Sequence, residues 1–162
     1  MSQAFLSLGS NLGDRRAYLR AAVAALERGP RMKLLGTSKV YETAPVEVED
    51  EQPDYLNCVV RLECGVPAIE LLRYCESVEA ALGRERKGER APRTIDIDVL
   101  LFGDEVVEEP GFEVPHRGVM RAFNLRGLAD LDPGLHIPER GGVGGLLAEV
   151  DPVGIEEVGE LC

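Results

Sequence analysis

Apolar residues recur along this chain with two different periods, and each change of period marks a new element. In QAFLSLGS, residues 3–10, they alternate, which predicts a first strand with Phe5 on one side and Leu6 and Leu8 on the other. From Asp14 the period lengthens. Leu19, Ala22, Val23 and Leu26 fall at i, i+3, i+4 and i+7, the stripe of an amphipathic helix that Asp14 can cap and Gly29-Pro30 can end. KLLGTSKVYET (33–43) and YLNCVVRLEC (55–64) read as a second and a third strand. The proline-bracketed APVEVEDEQPD between them is too irregular for a tight hairpin. Pro67 sits at a first helical turn, and Ile69, Leu72, Cys75, Val78 and Leu82 predict the buried stripe of a second helix that Gly83 ends.

A basic loop follows, and then a strand over Thr94–Phe102 rich in Ile, Val and Leu. FGDEVV reads as a turn into a short hairpin arm, VPHRGVMRAFNLRGLADL as a loop and third helix, and GLHIP as a last short strand. The Gly- and Glu-rich tail from Glu139 holds one weak helix at VGGLLAEV. The order strand–helix–strand–strand–helix–strand is that of a ferredoxin-like split βαβ. The expected class is therefore α+β, with a mainly antiparallel sheet and helices on one face. The expected organisation is one domain over 1–138, with 139–162 as an extension packed on it or trailing from it.

Composition narrows the function. A chain of 162 residues with 44% hydrophobic content can bury one core. No apolar run is long enough to cross a bilayer, and MSQAFLSLGS lacks the charged leader and apolar core of a signal, so a cytoplasmic protein is expected. The four cysteines show no CxxC spacing and read as core thiols. A net charge of −11 argues against nucleic acid as a partner. Yet residues 84–93, RERKGERAPR, set five cations against two glutamates, an island suited to a small anion.

Directly after that island, the strand carries Asp96 and Asp98 at i and i+2, on the same face as Leu100 and Phe102. Ile95, Ile97, Val99 and Leu101 take the other face. Two carboxylates at that spacing are roughly 6–7 Å apart at the backbone. Their repulsion at an effective dielectric near 20 is about 2–3 kcal/mol. A salt bridge to Arg93 would offset it. So would a hard divalent cation held by both carboxylates, with waters and substrate phosphates completing its shell. Carboxylates for metal beside arginines for phosphate are the parts of phosphoryl transfer.

The remaining candidates are weaker on their own. GSNLGD (9–14) is not a Walker loop and reads as a tight turn. Tyr55 and Asn57 share a strand face and offer an aromatic plane beside an amide. Phe123 and Met120 read as core. His116 lies in an arginine-bearing loop with Arg117 and Arg121, where it could donate to a phosphate, and EVEDE (47–51) reads as a solvated loop.

Taken together and in order, SLGSNLGDR, YETAPVEVEDEQPDYLNCVV, GRERKGERAPRTIDIDVLLFGD and VPHRGVMRAF closely resemble the 6-hydroxymethyl-7,8-dihydropterin pyrophosphokinases of folate biosynthesis. The resemblance covers about residues 3–138. It implies a ferredoxin-like enzyme that transfers the pyrophosphoryl group of ATP to the pterin hydroxymethyl oxygen and releases AMP. Asp96 and Asp98 would hold two Mg2+ ions. Tyr55 and Phe123 would sandwich the pterin, with Thr43, Asn57, Asp96 and the backbone near Pro45 and Val46 at its edge. Arg84, Arg86, Arg93, His116 and Arg121 would grip the phosphates of ATP, Arg84 and Arg93 catalytically, while Glu76, Glu79 and Ile97 lie where the family meets ATP or the pterin pocket. The chain departs from many members in having no tryptophan and a short GERAPRT loop. A monomer or weak homodimer is expected. The rival readings are a nucleotidyl- or glycosyltransferase built on the DxD pair and a ferredoxin-like module that binds nucleotide or pterin without chemistry.

Overall fold

The computed structural model describes residues 1–44, 53–83, 94–151 and 153–161. The element order is β1 (Ser2–Ser10), α1 (Arg15–Glu27), β2 (Met32–Thr37), β3 (Tyr41–Thr43), β4 (Tyr55–Cys64), α2 (Ala68–Ala81), β5 (Asp96–Phe102), β6 (Val107–Glu109), β7 (Phe112–Val114), α3 (Ala122–Leu131), β8 (His136–Ile137), β9 (Gly141–Gly142), α4 (Val143–Glu149) and β10 (Ile155–Glu157). Among the described residues, six strands form an antiparallel sheet in the order β10-β3-β4-β1-β5, with β2 also paired to β4. The pairs β6-β7 and β8-β9 stand as separate small ladders.

Local chemistry accounts for most boundaries. Asp14 caps α1, its Oδ1 accepting from the Ala17 N–H at 3.1 Å, which leaves Leu19, Ala22 and Leu26 facing the core. Pro67 caps α2 and Gly83, at φ +97°, follows its end. The buried side of α2 is Ala68, Leu71, Leu72, Cys75, Val78 and Glu79, whereas the predicted stripe member Ile69 is exposed. The expected second strand is two strands. Ser38 interrupts it and mends the ladder with its side chain, the Val59 N–H donating to Ser38 Oγ at 2.8 Å. β2 then pairs with the far half of β4 and β3 with the near half, Tyr41 opposite Asn57 and Thr43 opposite Tyr55.

The sheet is covered on both faces, which corrects the expectation of helices on one. Ala4, Leu6, Leu8, Val60, Ile97 and Val99 pack in one cluster with Leu19 and Leu26 of α1 and Leu71 and Cys75 of α2. Phe5, Val59 and Leu100 pack in another with Leu125 and Leu128 of α3 and Val143 at the start of α4. The strands alternate, so an apolar Phe5 beside an apolar Leu6 demands two covers. α3 lies so close on β4 that a Cβ at Gly127 would run into the Val59 side chain.

A second correction concerns β5. The register against β1 shifts between Phe5 and Leu6, which pair with Leu101 and Val99 and leave Leu100 as the extra residue. Such a bulge reverses the alternation beyond it. Leu101 accordingly joins Leu100 and Phe5, while Phe102 joins Ile97 and Val99.

Candidate functional site

In an antiparallel ladder, residues directly opposite one another share a face. The register therefore sets Asp96, Gly9, Asn57 and Tyr41 in one row across β5, β1, β4 and β3, with Asp98, Ser7 and Val59 in the next. Tyr55, two residues before Asn57, comes out on the same face. The two aspartates and the Tyr55–Asn57 pair, about 40 residues apart in sequence, are thus joined by one intervening strand. Asp96, Asp98 and Tyr55 are half-buried; Asn57 and Thr43 are buried.

Gly9 is the floor between them, a residue that the expected first strand (3–10) and the expected GSNLGD turn (9–14) share. It lies inside β1. A Cβ there would stand 3.0 Å from Asn57 Oδ1 and 3.4 Å from the Tyr55 ring. Asn57 is oriented by β3, its Nδ2 donating to Thr43 Oγ1 at 2.8 Å. Its carbonyl oxygen therefore faces Gly9, an acceptor turned into the row.

The entry to β4 is held by residues the sequence did not single out. Asn11, buried, donates to the Pro53 carbonyl at 3.2 Å. Arg15 donates to the Asp54 carbonyl at 2.9 Å and pairs with Glu42 at 2.7 Å. Both anchor the backbone just before Tyr55. Nothing in local periodicity marks them, because their partners lie far along the chain.

On the β5 side, the His116 N–H donates to the Leu100 carbonyl at 2.9 Å and brings its loop onto the strand. His116 Nδ1 accepts from the Gly118 N–H at 2.9 Å, so in the neutral ring the proton sits on Nε2, which lies 3.6 Å from Asp98 Oδ1. The buried Asn124 of α3 donates to the Gly118 carbonyl at 2.8 Å and holds the loop to the helix. Phe123, half-buried, sits in the first turn of α3, and Arg121, exposed, is its N-cap residue.

Two expectations change in character. Glu79, 3% exposed, accepts from the Ile97 N–H at 2.8 Å, so the carboxylate expected near ATP fixes the amide between the two aspartates. The Ile97 side chain is fully buried in the α1–α2 core, so only its backbone can face a ligand. Glu76 is half-exposed and pairs with Arg73 at 3.2 Å. Pro45, Val46, Arg84, Arg86 and Arg93 lie outside the described residues. Among the described residues no three His, Cys, Asp or Glu side chains converge on a metal position. The donor set on offer is the Asp96–Asp98 pair. Two hard oxygen ligands suit Mg2+, which completes its octahedron with waters and phosphate oxygens.

A sheet face that joins paired carboxylates, an imidazole and an aromatic–amide pair has the layout of a group-transfer enzyme. Residues 5–133 match the family model described as 7,8-dihydro-6-hydroxymethylpterin-pyrophosphokinase, and the chain belongs to that family. It is 42% identical over 161 residues to the 2-amino-4-hydroxy-6-hydroxymethyldihydropteridine pyrophosphokinase of Methylorubrum extorquens, covering 98% of this chain and 99% of that protein. To the Pseudomonas aeruginosa protein of the same name it is 36% identical over 159 residues, covering 98% of each. Among solved structures, the Plasmodium falciparum HPPK-DHPS chain shares the fold, with a TM-score of 0.71 at 16% identity; 97% of this chain matches 47% of that longer one.

Proposed function

We propose that this chain transfers the pyrophosphoryl group of ATP to the hydroxymethyl oxygen of 6-hydroxymethyl-7,8-dihydropterin, giving AMP and the pterin diphosphate in folate biosynthesis. The observation that carries the reading is the row Asp96–Gly9–Asn57, which sets a carboxylate pair beside an amide and an aromatic ring. The fold is assigned as ferredoxin-like, with β2 and β3 together as the second strand of the split βαβ. The catalytic unit is residues 1–138, a cytoplasmic monomer or weak homodimer.

The flat pterin lies between Tyr55 and Phe123, a stacking geometry that suits offset aromatic planes. Asn57 Oδ1 accepts from the pterin's N–H groups, and Thr43 keeps that amide from turning over. This places the hydroxymethyl arm toward Asp96. Asp96 and Asp98 would hold the two expected Mg2+ ions, which would neutralise phosphate charge and lower the pKa of the alcohol. The hydroxymethyl oxygen bonds to the β-phosphorus, the bond from that phosphorus to the α-phosphate's bridging oxygen breaks, and AMP departs with the electron pair. The hydroxyl proton passes to solvent. His116 Nε2 donates along the phosphate path beside Asp98, and Arg121 adds positive charge at the rim. Arg84, Arg86 and Arg93 of the basic loop complete the grip on ATP. Such a step needs alignment and charge neutralisation more than a covalent intermediate.

The test is product identity. Supplied with Mg-ATP and hydroxymethyldihydropterin, the protein should form AMP and a pterin heavier by two phosphoryl groups, seen by mass. Formation of ADP, or saturable binding of both ligands with no AMP, would replace this reading with a different kinase or with a binding module.

A further inference from the structure

The last strand, β10, belongs to the segment beyond the family match, which ends at residue 133. It pairs antiparallel with β3, Ile155 opposite Thr43 and Glu157 opposite Tyr41, so it covers what would be the open edge of the sheet. β3 is three residues long. A strand that short, held on one side alone, frays readily.

The segment is fastened by residues far from it in sequence. Arg16 donates to the carbonyls of Val158 at 2.8 Å and Glu160 at 3.0 Å, and Arg20 donates to that of Leu161 at 3.0 Å. Leu161 is 2% exposed in the main core. The Val40 N–H donates to the Gly159 carbonyl at 2.7 Å, and the Val158 N–H to the Val40 carbonyl at 2.9 Å. Glu157 pairs with Arg126 of α3 at 3.7 Å, and Arg126 lies over the Tyr41 ring at 4.9 Å. The strand thus touches β3 and α3, and the residues directly after it are tied to α1.

We propose that the C-terminal strand is a positioning brace for the pterin side of the site: it fixes β3, β3 fixes Thr43, and Thr43 sets the orientation of the Asn57 amide. The inference rests on the functional reading above for its ligand. Two arginines of α1 that touch no proposed substrate then control recognition of the pterin and leave recognition of ATP alone.

The experiment uses the full chain carrying Arg16→Ala and Arg20→Ala, with Arg16→Lys/Arg20→Lys as the conservative control. Amide exchange at 155–161 should rise in the alanine variant. The KM for hydroxymethyldihydropterin should rise about tenfold, the size of one lost hydrogen bond. The KM for ATP should stay within about twofold, and the lysine variant should recover part of the loss. If the strand stays protected, Glu156→Pro releases it and meets the same criterion, because residue 156 lies two before Val158, whose N–H donates to Val40, and so turns its own N–H toward β3. A released strand with an unchanged pterin KM, or equal losses for both substrates, would overturn the brace. If the parent protein does not turn over the pterin, the functional reading fails by itself. The brace is then judged by exchange at Thr43 and Asn57, which must quicken when β10 is released.

Discussion

Glu79 of α2 and Ile97 of β5 are joined by a 2.8 Å hydrogen bond from the Ile97 N–H to the Glu79 carboxylate, and Ile97 is the residue between Asp96 and Asp98. β5 ends the sheet's strand order, so its outward amides have no neighbouring strand among the described residues. A buried carboxylate takes that role at the point where two further carboxylates must be held in place.

Removing that acceptor should loosen the pair it steadies. Glu79→Ala leaves a buried N–H without this partner, which costs about 1–3 kcal/mol. Glu79→Gln keeps an acceptor oxygen and should lose less. Urea unfolding and AMP release measured on both variants check this; equal behaviour of Ala and Gln would remove Glu79 from the positioning role.

Asp98→Asn neutralises one of the two carboxylates proposed to hold Mg2+ and removes the charge facing His116. Turnover should fall on the order of a thousandfold, the scale of losing a directly placed electrostatic group. Pterin binding, read by fluorescence titration, should stay near the parent value because the Tyr55–Asn57 side is untouched. An Asp98→Asn protein that still releases AMP at the parental rate would end the metal assignment.

Gly9→Ala places a methyl 3.0 Å from Asn57 Oδ1 and 3.4 Å from Tyr55. The strand tolerates alanine, so the fold should persist while the amide and ring are pushed from their places. The KM for the pterin should rise about tenfold, as for one weakened hydrogen bond. Steady-state kinetics beside a melting curve separate this from general destabilisation.

Tyr41 carries the pH prediction. Burial, and then the Asp130 carboxylate that accepts its O–H, raise its pKa above the ordinary value of 10.0. The unfolded phenol loses its proton first, so stability is fully present below pH 10.0 and declines as pH rises past it. Tyr41→Phe should be less stable at neutral pH and lose less between there and strong alkali. Parallel slopes for the two proteins in alkaline unfolding would contradict it.

Much was legible in the residues themselves. The third strand, Tyr55–Cys64, has the bounds its pattern predicts, and Asp14 caps the helix it was assigned to. These features depend on neighbours within a few positions, where periodicity and capping act. The phrase APRTIDIDVLLFG pointed to the family because its chemistry is packed into one short run. Ile69 was misplaced because a helix shows several possible apolar stripes, and only its packing partner selects one.

Sequence alone thus determined most of the elements, the acidic pair and the family. Tertiary structure decided that Gly9 lies between the aspartates and the Tyr55–Asn57 pair, that a bulge at Leu100 changes sides for Leu101 and Phe102, and that the tail returns to close the β3 edge. Each of these depends on which strand lies opposite which. Register is a relation between residues tens of positions apart, and it is settled only when both faces of the sheet are buried together.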